Sequence, residues 1–220
     1  MARPTSSTRT EVRPEAVLAS VTDGHADIAT VSRAALRCRA CDLWAHATQT
    51  VFGKGPVPAR WMLVGEQPGD HEDVEGEPFV GPAGRLLDEA LEEAGIEREA
   101  AFVTNVVKHF KWRPAPGSKR RLHERPNREE VGACLPWVES ELALVRPEVL
   151  VLLGATAAQA LLGDVRVTRD HGKEIESKLA PHVLVTIHPS AVLRARGQEA
   201  RSVAMAGLID DLRVAAKAAD

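Results

Sequence analysis

The stretch GSKRRLHERPN, residues 117–127, places Lys119, Arg120, Arg121 and Arg125 around His123. From Lys108 to Arg128 there are eight Lys or Arg and one acid, a local +7 in a chain of net charge −3. The rest of the chain must therefore carry −10. A basic segment on an acidic body is an electrostatic footprint for nucleic acid. A solvated surface loop explains the charge equally well. The histidine is the odd member. Positive neighbours disfavour the imidazolium, so its pKa is expected to fall. A neutral imidazole keeps a free lone pair and is a nucleophile. Its plainer role is a hydrogen bond to a phosphate gripped by the cations.

A second constellation involves sulfur. CRAC (38–41) is a C-x-x-C, and Cys134 lies far downstream. Free cysteines are often small core hydrophobes. No strand precedes CRAC, as a thioredoxin-like redox site requires. Two cysteines at this spacing can bind one metal centre, and a third from a distant helix helps to close it. Zinc and iron–sulfur clusters normally take four ligands. His109 is the best fourth candidate. At this level Cys3His zinc and a Cys3His cluster both stand open.

These residues need a scaffold. WMLVG (61–65), AFVTNV (101–106), EVLVLLG (148–154) and HVLVTI (182–187) read as strands. Helices are expected over 16–37, 83–95, 127–145, 156–163 and 200–218. Asn127 opens the third of these, with Glu130 in capping-box spacing. Such alternation predicts an α/β fold: a three-layer α/β/α sandwich with a central, mostly parallel four-stranded sheet. In such sheets ligands bind beyond the carboxyl ends of the strands. The polar loops GEQPGD (65–70), Asn105 with VVKHF, and HPS (188–190) fall at those ends.

The chain has 220 residues, 44% hydrophobic and 27% charged, enough for one domain with a real core. The expected division is a disordered tail over 1–15 and a single domain over 16–220. No apolar run approaches the roughly 20 residues that span a bilayer, and the N-terminus lacks a signal-peptide stretch. The expectation is a cytoplasmic protein with no membrane partner, in which three cysteines form no disulfide framework.

The motifs together resemble the uracil-DNA glycosylase superfamily, in its iron–sulfur-containing branch. GEQPGD is similar to that branch's Gly-Glu-x-Pro-Gly loop. GEPFVGPAGRLLDEAL (76–91), TNVVKHF (104–110), LLGATAAQALLG (152–163) and HPS match in order. The likeness runs from about Cys38 to the C-terminal helix. Within the branch, KRRLH (119–123) resembles the Lys-Arg-Arg-Ile-His loop of UdgX-type members, apart from Leu122. Gln67 after Glu66, and His109 where ordinary members have cysteine, point the same way.

The resemblance implies a four-iron, four-sulfur cluster held by Cys38, Cys41, His109 and Cys134. It also implies that His123 attacks the sugar after uracil leaves and stays attached to the DNA. The expected partner is uracil-containing DNA, single strands included, met by a monomer. Phe79 is expected to stack on the base, and Asn105 to read its edge by donating to a carbonyl and accepting from N3–H. Gly65 and Gln67 complete the expected uracil pocket. His188 is expected to stabilise the uracil anion, and Glu66, ahead of Asp70, the cationic sugar. Lys119, Arg120, Arg121, Arg125 and Ser190 are expected on the DNA. Two other outcomes stand beside this one: a conventional multiple-turnover glycosylase, and a cluster-containing nucleic-acid-binding protein without base excision.

Overall fold

The computed structural model describes residues 12–219. In chain order the elements are α1 (Pro14–Thr22), α2 (Ile28–Ala35), β1 (Trp61–Gly65), α3 (Asp70–Glu75), α4 (Pro82–Glu93) and β2 (Ala101–Asn105). There follow β3 (Trp112–Pro114), β4 (Arg121–His123), α5 (Arg128–Val145), β5 (Val149–Leu153), α6 (Ala155–Leu162) and α7 (Val167–Asp170). The chain closes with β6 (His182–Thr186), α8 (Ser190–Arg194) and α9 (Gln198–Ala218).

The central sheet runs β2-β1-β5-β6, and every pairing in it is parallel. Successive strand side chains point to opposite faces, and the core divides accordingly. Met62, Val64, Phe102, Leu150, Leu152, Val183 and Val185 join Trp137, Val138 and Leu142 of α5 on one face. Trp61, Leu63, Val103, Val151 and Leu184 join Leu87 and Leu91 of α4 and Leu208 and Leu212 of α9 on the other. The three expected layers are present. β1 and β2 lie side by side, and the chain then crosses β1 to place β5 on its far side. That reversal of direction opens a crevice at the carboxyl ends of the strands.

Three details differ from the sequence expectation. Residues 1–11 of the expected tail lie outside the described residues, but 12–15 are ordered. Val12 forms a bridge with Cys38, and α1 begins at Pro14, whose fixed φ suits the first helical turn. The helix expected over 16–37 is two helices, broken after Thr22 by Gly24 at φ +75° and restarted by Asp27, which accepts from the Thr30 N–H. The basic stretch is also more ordered than a loop. β3 and β4 form an antiparallel hairpin in which Trp112 faces His123, with Lys119 and Arg120 exposed at the tip. A run of three residues per strand is too short to show a period of two in sequence.

Candidate active site

Gly65 ends β1 directly opposite Asn105 at the end of β2. A Cβ on Gly65 would run into Asn105 Oδ1, would lie 2.7 Å from Phe79 Cζ and 3.4 Å from His188 Nε2. Four groups from four loops thus border one small hollow. Asn105 is 2% exposed, and among the described residues its Oδ1 has no hydrogen-bond partner. Leaving a buried carbonyl oxygen unpaired costs about 1–3 kcal/mol, so this atom waits for a donor. Phe79 stacks on His188, with ring centroids 6.0 Å apart and planes 28° from parallel. Its backbone stands at φ +58°, a left-handed conformation costly for an aromatic residue. It is held there by α4: a Cβ at Gly84 would collide with the Phe79 carbonyl, so only glycine lets the helix come this close. Glu72 holds the same wall, accepting from the Gly69 N–H at 3.0 Å and the Gly81 N–H at 2.7 Å. Gly65→Ala is expected to displace Phe79 and cut activity about a hundredfold, as misplacement by an ångström can, with the fold unchanged by circular dichroism.

The protonation state of His188 follows from its neighbours. The Ser190 hydroxyl lies 2.8 Å from Nδ1, and the Ser190 backbone N–H donates to Nδ1 at 3.1 Å. Nδ1 is therefore an acceptor, and the ring proton sits on Nε2, which faces the hollow. Burial lowers the His188 pKa to about 4, assisted by Arg194 and His123. A neutral N–H donor is thus fixed facing the hollow. Ser190, expected on DNA, instead orients this ring, and its hydroxyl accepts from Arg194 at 2.7 Å.

Glu66 and His123 form the second half of the site. Glu66 Oε1 lies 3.4 Å from His123 Nε2, while Oε2 accepts from the Thr156 hydroxyl at the start of α6. Arg125 reaches the same Thr156 oxygen at 3.1 Å and stands 3.8 Å from Oε2. Asp70, the other acid considered, is engaged with Arg121 at 2.5 Å. The pKa of His123 is lowered from its ordinary value, first by partial burial and then by Arg194, against the pull of Glu66. The direction matches the sequence argument but the cause does not. Of the cations of its own loop, Arg121 turns to Asp70 and Asp73 and Arg125 lies beside Glu66, and the cation that lowers the pKa belongs to α8.

Gln67 and Arg121 also differ from expectation. Gln67 faces His123 rather than the hollow. Its Oε1 accepts from the Lys111 N–H at 3.0 Å, which identifies Nε2 as the amide nitrogen. Nε2 lies 3.2 Å from Lys111 O, 3.0 Å from Glu124 O and 2.9 Å from His123 Nε2. Arg121 forms ion pairs at 2.5 Å with both Asp70 and Asp73 and packs over Phe110 and Trp112. It pins the hairpin to α3 and is not free for a phosphate. Two more cations of the basic segment are similarly engaged, Lys108 with Glu141 at 2.7 Å and Lys111 with Glu130 at 3.0 Å. Lys119 and Arg120 remain exposed. Thr156, Arg194 and Glu72 are the residues that sequence reasoning missed.

The sulfur constellation lies behind this site. Cys38 and Cys134 are buried, Cys41 half-buried, and both Cys38 and Cys41 are near enough to act on the Cys134 thiol. Burial pushes that thiol up to about 12. Trp137 Nε1 donates to Cys38 Sγ at 3.3 Å, and the Lys108 N–H donates to Cys134 Sγ at 3.2 Å. Such donors suit sulfurs that carry thiolate charge. The Thr50 hydroxyl gives its hydrogen to Ala35 O, so its oxygen accepts from His109 Nε2 at 2.9 Å. Nδ1 of His109 then keeps its lone pair, oriented as a metal-ligating ring usually is. Burial lowers the His109 pKa to about 4, so the ring is neutral. Among the described residues no three His, Cys, Asp or Glu are grouped to hold one metal ion.

A model of the Uracil DNA glycosylase superfamily matches residues 52–213. A Type-4 uracil-DNA glycosylase of Thermotoga maritima is 38% identical over 177 residues, covering 80% of this chain and 88% of its own. A Type-4 enzyme of Pyrobaculum aerophilum is 39% identical over 184 residues, covering 76% and 87%. A Type-5 uracil-DNA glycosylase of Thermus thermophilus is 30% identical over 188 residues, covering 75% and 80%. Among the described residues, no helix is long and apolar enough to cross a membrane.

Proposed function

Because the chain belongs to the uracil DNA glycosylase superfamily, we propose that it excises uracil from DNA and that His123 then bonds to the sugar in place of the base. The observation that carries the covalent step is the placement of His123 Nε2 3.4 Å from Glu66 Oε1, beside the hollow formed by Gly65, Phe79, Asn105 and His188.

Uracil in a duplex must be flipped out, whereas in a single strand it is already accessible. Stacked on Phe79, the base offers its N3–H to the unpaired Asn105 Oδ1. The C1′–N1 bond breaks with both electrons leaving on uracil. His188 Nε2–H donates to the developing anion, and the Glu66 carboxylate faces the cationic sugar. Gln67 Nε2 lies 2.9 Å from His123 Nε2, and the reacting tautomer is the one with the lone pair on that nitrogen and the ring proton on Nδ1. The Nε2 lone pair forms the bond to C1′. The resulting alkylated imidazolium loses its Nδ1 proton to water, and the uracil anion takes a proton from water. Imidazole on C1′ has no adjacent group to activate its departure, so the protein is spent after one event.

The cations at the hairpin tip, Lys119 and Arg120, together with Arg125, hold phosphates and keep the hairpin over the sugar. Arg121 anchors that hairpin from within. Cys38, Cys41, Cys134 and His109 would hold the four-iron cluster, which ties the N-terminal segment, the loop after β2 and α5 together. The protein acts as a monomer on cytoplasmic DNA. As purified it is expected to be brown, with iron and acid-labile sulfide in near-equal amounts; zinc alone would overturn the cluster.

The covalent step is tested by mixing protein with a uracil-containing single-stranded oligonucleotide and running a denaturing gel. A slow band resistant to heat and SDS is expected. Uracil release without such a band selects conventional turnover, and salt-sensitive binding without release selects a binding protein.

A further inference from the structure

Lys108 is buried, 1% exposed, although it opens the most basic part of the chain. Its ammonium has three donors and meets three acceptors: Thr104 Oγ1 at 2.6 Å, the Asn105 carbonyl at 2.7 Å and Glu141 Oε2 at 2.7 Å. Glu141 is fully buried and engaged in turn. It accepts from the Thr104 hydroxyl at 2.8 Å and from the Gly53 N–H at 3.0 Å. The Phe52 ring lies 5.4 Å from Nζ. A charge pair so deep is dear to desolvate, and hydrophobic residues would often serve stability as well or better. Stability alone is therefore a weak account of the pair.

The contacts supply another. Lys108 reaches back along the chain to the carbonyl of Asn105, whose side chain bears the unpaired oxygen in the hollow. The Lys108 N–H meanwhile donates to Cys134 Sγ, and its carbonyl accepts from the Val51 N–H at 2.8 Å. Both its main-chain hydrogen-bonding groups are fixed, and its ammonium is the fixed point for the end of β2. On the other side, β1 holds the same turn through Val106 N–H to Gly65 O and Val107 N–H to Glu66 O, both at 3.0 Å. Asn105 is thus clamped from the β1 side by backbone and from the α5 side by Lys108.

The geometry points to Lys108 as a positioning residue for uracil recognition: it fixes the Asn105 carbonyl so that the Asn105 amide stays aimed at the base. It touches neither base nor sugar, and acts only through Asn105. This inference rests on the excision reading above.

The test is a double-mutant cycle on uracil release under single-turnover conditions, with protein in excess over a single-stranded oligonucleotide bearing one uracil. Lys108→Met paired with Glu141→Gln removes both charges and keeps an acceptor for Thr104 and Gly53. In the native background the pair is expected to slow release about 10- to 100-fold, in the range of misplaced catalytic groups. In an Asn105→Ala background it should slow release less than about threefold, because the group it positions is gone. Affinity for uracil-free DNA should not change, since Lys108 is buried. Equal losses in both backgrounds, or no loss in either, would overturn the assignment. Glu141→Gln alone leaves an amine to hold the Asn105 carbonyl and should stay within about threefold of native. A large loss there, in protein that melts as native does, would place the effect in the buried charge rather than in Asn105, whether or not the pair folds. If native protein releases no uracil, the excision reading fails; if it releases uracil and the cycle is additive, only the role of Lys108 fails.

Discussion

Replacing His123 by serine is expected to convert a protein that is consumed by its substrate into one that turns over. The heat- and SDS-resistant band should vanish. Free uracil and abasic DNA should then accumulate beyond one per protein molecule. The reason is geometric: the Glu66 carboxylate, the Phe79 wall, Asn105 and His188 all remain, so the glycosidic bond still breaks. A water enters the space left by the ring, 3.4 Å from Glu66 Oε1, and completes hydrolysis. The native reaction should also carry the signature of a histidine whose pKa lies below its ordinary value. The ring is neutral and nucleophilic above that lowered pKa and protonated below it. Adduct formation should therefore hold level from neutral pH down past 6.5, the ordinary histidine value, and fall only on further acidification. Rates measured by quenching into denaturant across that range check this directly. A fall beginning above neutrality would contradict it.

Replacing His188 by alanine carries the second large effect, on bond breaking itself. Its Nε2–H faces the hollow and, in the proposed reaction, donates to the leaving base. Loss of a single donor to a developing anion costs about 10²–10³ in rate. The release of uracil should slow by that factor in single-turnover assays, and the adduct band should slow equally, because His123 can attack only after the base departs. Retention of the adduct rate alongside slowed uracil release would be inconsistent with this order. Ser190→Ala, which removes only the hydroxyl on Nδ1, should do much less, because the Ser190 backbone N–H still fixes the tautomer.

The layered fold was legible because β1, β2, β5 and β6 are short, largely apolar runs separated by helices of regular period. The sequence also placed the loops of Gly65, Asn105 and His188 on one edge, since parallel strands share their carboxyl ends. It misjudged the division of labour among charges. Arg121, Lys111 and Lys108 look like one basic patch with Lys119 and Arg120, yet the first three are paired with Asp70, Asp73, Glu130 and Glu141. Those partners are 19 to 51 positions away, and no local pattern reveals such pairings. For the same reason the neutral His123 was expected for one cause and found with another: partial burial and Arg194, from an element more than seventy residues on. Gln67 was placed in the uracil pocket alongside the family resemblance, whereas its amide meets Lys111, His123 and Glu124.

In the proposed reaction one histidine ends the chemistry by taking the place of uracil on the sugar. The most direct measurement is the amount of uracil released per protein molecule when uracil-containing single-stranded DNA is in large excess. Release that stops at one uracil per protein, with an equal amount of DNA bound to protein through His123, is the predicted result. Release that continues well beyond one per protein, with the protein recovered unmodified, would contradict it.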